Sequence, residues 1–253
     1  MIDAIFCNSL SRLTDRRTKS IEILNPLSDI YPIYFHDAVD WKKINLDDIS
    51  KAGFTIYSQW LDKKKWGVDE KELPKPNFFW YNQPLRMGSM CNSIGHYSIW
   101  CNALSKGFSN ILILEDDVRF DLTELKITLD KYESDYMKMC DIFYLGCNPI
   151  TPADEIPIDS FVAEVKYTYT THAYIVNERA MLMLRSGGLK ENLITIDEYV
   201  SAFHAIHPRN DIRTMYDFSN RLVAYKTLKD VIGQTVHTED SENWNSDTFL
   251  KYE

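Results

Sequence analysis

The chain has 253 residues, 45% of them hydrophobic and 26% charged, which is enough ordinary globular sequence to bury a sizeable core without disulfide or metal staples. Its 37 acidic residues outnumber 28 basic ones, giving a formal net charge of -9. That argues against a general nucleic-acid binder, which needs a basic face, but not against a nucleotide held as a small ligand. Five cysteines, Cys7, Cys91, Cys101, Cys140 and Cys147, contain no CxxC pair and read as thiols in a reducing compartment.

Residues 2–7 read as a first strand, running directly from the start of the chain. The loop after it carries Arg12 and Arg16, and the spacing of Ile21 and Leu24 predicts a helix capped by Thr14 or Asp15. Two arginines between a strand and a helix can hold a phosphate or nucleotide, or form a solvated face. Residues 31–36 predict a second strand, ending before Ala38 and Asp40. Residues 45–73 are polar, with a basic run at Lys63, Lys64 and Lys65, and suit a short helix and loops. The aromatic block Phe78, Phe79, Trp80 and Tyr81 is expected in the core rather than as a sugar platform.

Residues 88–106 predict a helix whose apolar face is Ile94, Tyr97, Cys101 and Leu104, stopped by Gly107. His96 and Trp100 lie one turn apart on an adjacent face. Then comes the most informative stretch. Ile111, Leu112, Ile113 and Leu114 form an unbroken apolar run, read as a strand buried on both faces, and it leads into Glu115, Asp116 and Asp117. Three adjacent carboxylates repel one another unless a cation sits among them. At the carboxyl edge of an α/β sheet such acids are a candidate metal–phosphate site; the other reading is an ordinary acidic loop.

Residues 122–139 predict a helix, 141–146 a strand, 151–157 a loop, 160–169 an edge strand and 172–176 a further strand. Residues 178–185 predict a helix closed by Gly187 and Gly188. A last helix over 196–206 carries Asp197 and Glu198 in its first turn, and 221–225 read as a late strand. The tail over 236–248 is polar and holds His237, Asp240 and Asp247. Strands alternate with helices in the first half, so the expected fold is α/β, a mostly parallel central sheet flanked by helices. No linker divides the chain, and residues 1–253 are expected to form one domain. With no apolar run of membrane-spanning length, no signal peptide and no Asn-x-Ser/Thr acceptor, the expected setting is cytoplasmic, or that of an excised catalytic domain.

Several blocks, in order, resemble glycosyltransferase family 25, which includes lipooligosaccharide and procollagen galactosyltransferases. Leu10, Arg12, Asp15 and Arg16 match an Asn-Leu-x-Arg-x-x-Asp-Arg pattern, with Ser9 where Asn is usual. Ala38 and Asp40 match Ala-x-Asp-Gly, with Trp41 in place of Gly. Gly88, His96 and Trp100 match a Gly-Glu-x-Gly-Cys-x-x-Ser-His-x-x-x-Trp helix, from which Ser89, Cys91, Asn92 and Gly95 depart. Glu115, Asp116, Asp117 and Phe120 match Glu-Asp-Asp-x-x-Phe in full. Tyr144, Leu145 and Gly146 follow, then Thr171, Ala173 and Tyr174, then Asp197 and Glu198, and finally Ser246, Asp247 and Thr248.

The resemblance implies a GT-A-type nucleotide-binding fold, a UDP-sugar donor (UDP-galactose or UDP-glucose) and manganese. It implies a glycan or collagen-like hydroxylysine acceptor and inverting transfer. Asp117, aided by Glu115 or Asp116, is then expected to hold a divalent cation on the donor diphosphate, with His237 as first candidate for a further ligand ahead of Asp240 and Asp247. Asp197 and Glu198 are the candidate bases, Arg12 and Arg16 would line the nucleotide site, and Asp40 would contact uridine or ribose. His96 either supports the donor site or is a structural histidine; His36, His172, His204 and His207 are given no role. The alternatives are a domain of the same fold that binds nucleotide-sugar or glycan without transfer, and a glycoside hydrolase using two carboxylates without metal.

Overall fold

A computed structural model describes residues 1–75, 80–150, 152, 155–216 and 221–234. The first strand, β1 (Ala4–Ser9), is buried throughout and feeds α1 (Thr14–Leu24). The residue that caps α1 is Leu13, whose apolar side chain cannot bond the free amides, so Thr14 and Asp15 lie inside the first turn rather than at the expected cap. β2 (Ile33–Asp37) follows, then α2 (Leu46–Lys51), where Asn45 and Asp48 form a reciprocal capping box.

The longest helix, α3 (Met87–Ser105), precedes β3 (Asn110–Glu115), and Gly107 supplies the left-handed turn between them at a φ of 73°. Next come β4 (Val118–Phe120), α4 (Leu122–Lys131), β5 (Ile142–Pro149), β6 (Ile156–Pro157) and β7 (Val162–Glu164). The chain continues through β8 (Thr168–Asn177), α5 (Glu178–Ser186), α6 (Ile196–His204) and α7 (Asn210–Met215). The described residues end with β9 (Ala224–Thr227) and β10 (Ile232–Gln234).

Eight strands make one sheet in the order β2, β1, β3, β8, β5, β9, β7, β6. Their pairings set six strands in one direction and reverse only β8 and β7, so the expected mostly parallel sheet is present. β4 and β10 form a separate antiparallel ribbon in which Val118 pairs with Gln234. That ribbon was not legible in advance, because three-residue strands carry too little periodicity.

β3 lies between β1 and β8, and Ile111, Leu112, Ile113 and Leu114 are all wholly buried. Their side chains alternate between two cores, Ile111 and Ile113 on the α3 side, Leu112 and Leu114 on the α4 side. Each such burial stabilises the fold by roughly 1.5–3 kcal/mol. The sheet therefore fixes β3 firmly and delivers its terminal acids to one edge.

Two helices differ from expectation. Ile94 is buried in α3, but Tyr97, Cys101 and Leu104 are only half-buried, while Ser93, His96, Ile99, Trp100 and Ala103 are fully enclosed. α3 packs on α5 and α6 as well as on β1 and β2, so its small and polar positions are buried and its polar face is not a solvent face. The expected 122–139 helix ends as α4 at Lys131 and gives way to a wider turn over Tyr132–Tyr136, which buries Tyr132 and Tyr136. The expected edge strand over 160–169 divides between β7 and the start of β8, and β6 takes the edge. Of the aromatic block, Tyr81 is buried as expected, while Phe78 and Phe79 lie outside the described residues. All five cysteines are unpaired thiols. Among the described residues no helix is long and apolar enough to cross a membrane.

Candidate active site

The carboxyl end of β3 places the three acids in different surroundings. Asp116 turns to the loop after β1, where it accepts from the Leu10 backbone N–H at 3.3 Å and pairs with Arg16. Ser20, on α1, donates to the Asp116 carbonyl at 3.1 Å, so this acid ties the loop to the end of β3. Glu115 turns toward α3, while Asp117 stands between Arg16 on one side and Gln234 on the other. Gln234 Nε2 lies 3.3 Å from Glu115 Oε2 and 3.4 Å from Asp117 Oδ1.

Burial and the neighbouring Glu115 charge push the Asp117 carboxyl up to about 7, against the opposing pull of Arg16 at 3.5 Å. Burial raises Asp116 as well. Glu115 is the exception: burial pushes it up, but His96 and the Asn92 amide outweigh that and hold it below the usual carboxylate range. Asn92 Nδ2 donates to Glu115 Oε1 at 2.9 Å, and Asn8 Nδ2 donates to Asn92 Oδ1 at 3.0 Å.

Gly95 makes this chain of amides possible, since a Cβ there would sit 2.8 Å from Asn8 Nδ2. Thus two of the departures noted in the α3 pattern, Asn92 and Gly95, belong to one arrangement around Glu115.

His96 is fully buried, with Nδ1 2.9 Å from the Tyr174 hydroxyl and Nε2 3.5 Å from Glu115 Oε1. Trp100 Nε1 also donates to the Tyr174 hydroxyl, at 3.2 Å. With Trp100 donating, Tyr174 is free to donate to Nδ1, which leaves the Nε2 proton facing Glu115. His96 and Trp100 thus point the same way, as their spacing predicts.

Asp197 and Glu198, adjacent in α6, point to different places. Asp197 is half-buried and accepts from Thr171 Oγ1 at 3.0 Å. Burial and the Glu115 charge push it up to about 7. Glu198 is wholly enclosed, accepting from the Tyr167 hydroxyl at 2.7 Å and lying 2.6 Å from His207 Nε2. The Arg209 backbone N–H donates to His207 Nδ1 at 3.1 Å, so the imidazole proton is on Nε2 and goes to Glu198. Arg209 is itself buried between Trp60 and Trp66, at 4.1 and 4.7 Å from their ring centres, which fixes this loop.

Across β1, Arg12 Nε donates to Asp40 Oδ1 at 3.0 Å. Burial would raise Asp40, but Arg12 and the Lys42 backbone N–H hold it below the usual range. The site thus brings together Arg16, Glu115, Asp116 and Asp117, with His96 behind them. Asp197 bears on Glu115 through its charge, and Arg12 and Asp40 pair beside the β1 loop. His237, Asp240 and Asp247 lie outside the described residues. Gln234, Asn92, Asn8 and Thr171 were not anticipated in these positions. The advance signals were the Thr-x-Ala-Tyr block containing Thr171 and the departure of Asn92 from the α3 pattern.

The residues present suit a divalent cation. A partly positive amide nitrogen stands where two carboxylate oxygens converge, the place a cation would take, and hard oxygen donors suit a hard ion. Among the described residues no three His, Cys, Asp or Glu side chains form a complete cage.

A sequence model described as "Glycosyltransferase family 25 (LPS biosynthesis protein)" matches residues 2–200. The chain belongs to glycosyltransferase family 25. Within it, the chain is 24% identical over 253 residues to procollagen galactosyltransferase 1 of Danio rerio, covering 97% of this chain and 38% of that protein. It is 24% identical over 251 residues to inactive glycosyltransferase 25 family member 3 of Homo sapiens, covering 97% of this chain and 39% of the relative. This family 25 chain therefore spans about two-fifths of the length of the relatives it matches. Among solved structures, a glycosyltransferase involved in glycosylating the major capsid of PBCV-1 is 14% identical, covers 73% of this chain and 67% of its own, and has a TM-score of 0.35.

Proposed function

We propose that this chain is a hexosyltransferase domain that moves galactose or glucose from a UDP-sugar to a hydroxyl of a glycan or collagen-like acceptor, with inversion. The observation that carries the reading is the convergence of Glu115 Oε2 and Asp117 Oδ1 on one point in a chain of this family. Glu115 and Asp117 hold the cation, Mn2+ in this reading. When bound, the ion neutralises charge that builds on the departing diphosphate.

Arg16 is bound to Asp116 and close to Asp117, and in this reading its guanidinium serves the diphosphate that the cation holds. Asp40, kept ionised by Arg12, is an acceptor for ribose or uridine. His96 holds Glu115 ionised, which favours cation over proton at that carboxylate. Asp197 takes the proton of the acceptor hydroxyl. A base serves best when its pKa lies near the working pH, and burial, the largest influence on Asp197, raises its carboxyl toward that range. Glu198 is bonded to Tyr167 and His207, so the reading assigns the base role to Asp197 alone.

The test is release of UDP from UDP-galactose and UDP-glucose with Mn2+, in the presence of glycan or hydroxylysine-peptide acceptors. Turnover that disappears in Asp117→Asn supports the reading. Release no greater than that of the variant, together with no thermal stabilisation by UDP and Mn2+, sinks it. A second reading, binding without transfer, is favoured by the match to a relative named inactive. It predicts stabilisation by UDP-sugar with no turnover.

A further inference from the structure

Gln234 holds a position that the proposed reaction does not yet use. Its amide nitrogen is the group on which Glu115 and Asp117 converge, at 3.3 and 3.4 Å. The backbone beneath it is well anchored: Gln234 pairs with Val118, the residue after Asp117, in the β4–β10 ribbon. Two residues earlier, the Ile232 carbonyl accepts from His172 Nε2 at 2.9 Å. The side chain can therefore turn while its attachment stays still.

We propose that Gln234 is a two-state ligand of the cation site. Its amide nitrogen bridges Glu115 and Asp117 when no cation is bound, and its carbonyl oxygen turns in to coordinate the ion when one arrives. The inference rests on the reading of Glu115 and Asp117 as cation ligands.

Bare carboxylates accept hydrogen bonds and repel a carbonyl oxygen, so in the cation-free site the NH2 end must face them. A cation reverses that preference. The two ends of the amide exchange by rotation about the terminal torsion, which is broad and has no steep staggered wells. A glutamine carbonyl is a hard oxygen ligand of the kind that accompanies carboxylates around divalent ions.

Few other side chains could serve both states. A glutamate would add a third acid to two that already repel, and a lysine would hold a permanent positive charge in the ion's place. The strand that carries Gln234 also meets a buried acceptor with an open valence. His172 is 5% exposed, and because Nε2 gives its proton to Ile232, Nδ1 presents a lone pair. Among the described residues that lone pair has no partner. That lone pair suits a water or hydroxyl able to donate to it.

The experiment is Mn2+ titration by calorimetry, with thermal melting in the presence and absence of Mn2+. It uses the wild type and the variants Asp117→Asn, Gln234→Ala, Gln234→Glu and Gln234→Lys. Gln234→Ala is expected to bind Mn2+ about tenfold or more weakly. Gln234→Glu should melt lower without metal, bind Mn2+ more tightly and gain more from it in melting temperature. Gln234→Lys should melt higher without metal and take up no Mn2+.

If Gln234→Ala binds as tightly as wild type or more so, the amide only blocks the ion's place and the proposal is overturned. It is equally overturned if Gln234→Glu changes neither the metal-free melting temperature nor Mn2+ affinity. If the wild type takes up no Mn2+, or Asp117→Asn takes it up equally, the cation reading of the acids fails instead.

Discussion

Thr171 Oγ1 donates to Asp197 Oδ1 across 3.0 Å, and it does so immediately after a distortion in its own strand. Thr170 has a φ of 69°, in the left-handed region that a β-branched residue seldom adopts. The neighbouring β5–β8 pairing also shifts register between Tyr144 and Gly146 and again before Asn148. Backbone strain of this kind persists where surrounding packing enforces it, and here it ends at the carboxylate assigned as base.

The first prediction concerns pH. Asp197 must be ionised to take a proton, and burial with the Glu115 charge pushes it up to about 7. The rate of UDP release should therefore rise with pH along an acid limb set by Asp197, at or below about 7 because a bound cation offsets the Glu115 charge, and level off above it. The Thr171 hydroxyl favours the ionised form, so Thr171→Val should move this limb to higher pH while Thr171→Ser leaves it in place. Stability runs the opposite way. A folded pKa above the ordinary carboxylate value means that the folded state keeps a proton the unfolded chain loses. Between roughly pH 4 and 7 this group costs stability as pH rises. Asp197→Asn should then melt above wild type at about pH 8 and close to it near pH 4.

A second prediction follows from the amides that end at Glu115. Asn8 donates to Asn92 and Asn92 donates to Glu115, at 3.0 and 2.9 Å, so both bonds point toward the carboxylate. Asn92→Ala removes the last donor and leaves the Asn8 amide without its acceptor. An unmet buried polar group costs about 1–3 kcal/mol, which a urea midpoint would register. Glu115 would also hold its proton more readily, so Mn2+ uptake should weaken by several-fold and more so at lower pH. Unchanged uptake in a folded Asn92→Ala protein would separate these amides from the cation site.

The fold was legible where side chains recur over many residues. The apolar run of β3 and the strand–helix alternation each carry enough repeats to fix an element. The acids at the end of β3 were legible for the same reason, since a buried strand must leave the core at a defined point. The burial of α3 was not, because its enclosed face includes Ser93 and His96, polar residues whose partners, Ile194 and Tyr174, come from distant segments. Gln234 was illegible for a related reason. A lone glutamine in a three-residue strand carries no period, and only the pairing of β10 with β4 brings it to the acids. The difference between Asp197 and Glu198 likewise lies in tertiary partners. Adjacent helical positions diverge by about 100°, but the sequence does not say which one meets His207 and Tyr167.

Gly146 links the fold to the site and yields a third prediction. A Cβ on Gly146 would lie 2.0 Å from the Ile232 carbonyl oxygen and 2.6 Å from His172 Nε2. Neither can yield cheaply, since one is backbone and the other is a buried ring bonded to it. Gly146→Ala should therefore push β10 away from β5, costing about 1–3 kcal/mol in unfolding free energy. Because β10 carries Gln234, Mn2+ should also stabilise the variant less than wild type. A variant that melts normally and responds fully to Mn2+ would show that β10 need not approach so closely.

The last prediction separates the two acids of α6. Glu198 is wholly buried, and both of its hydrogen-bond donors meet one oxygen, Oε2, while Oε1 has no partner among the described residues. Removing one member of a buried pair strands the others: Glu198→Ala leaves the His207 proton and the Tyr167 hydroxyl unmet and should cost about 3–5 kcal/mol. Glu198→Gln keeps the shape and one acceptor oxygen, so its loss should be smaller and the protein should remain folded. In that folded variant the base is intact. The Glu198 charge helps raise Asp197, so its removal should shift the acid limb of the rate profile slightly downward and leave the plateau rate within a few-fold. Asp197→Asn should instead lower the plateau by about 10²–10⁴ at unchanged fold, the usual contribution of a positioned base. A Glu198→Gln protein as inactive as Asp197→Asn, yet equally stable and equally able to bind UDP, would transfer the base role to Glu198. Its enclosure by Tyr167 and His207 would then have to open during turnover.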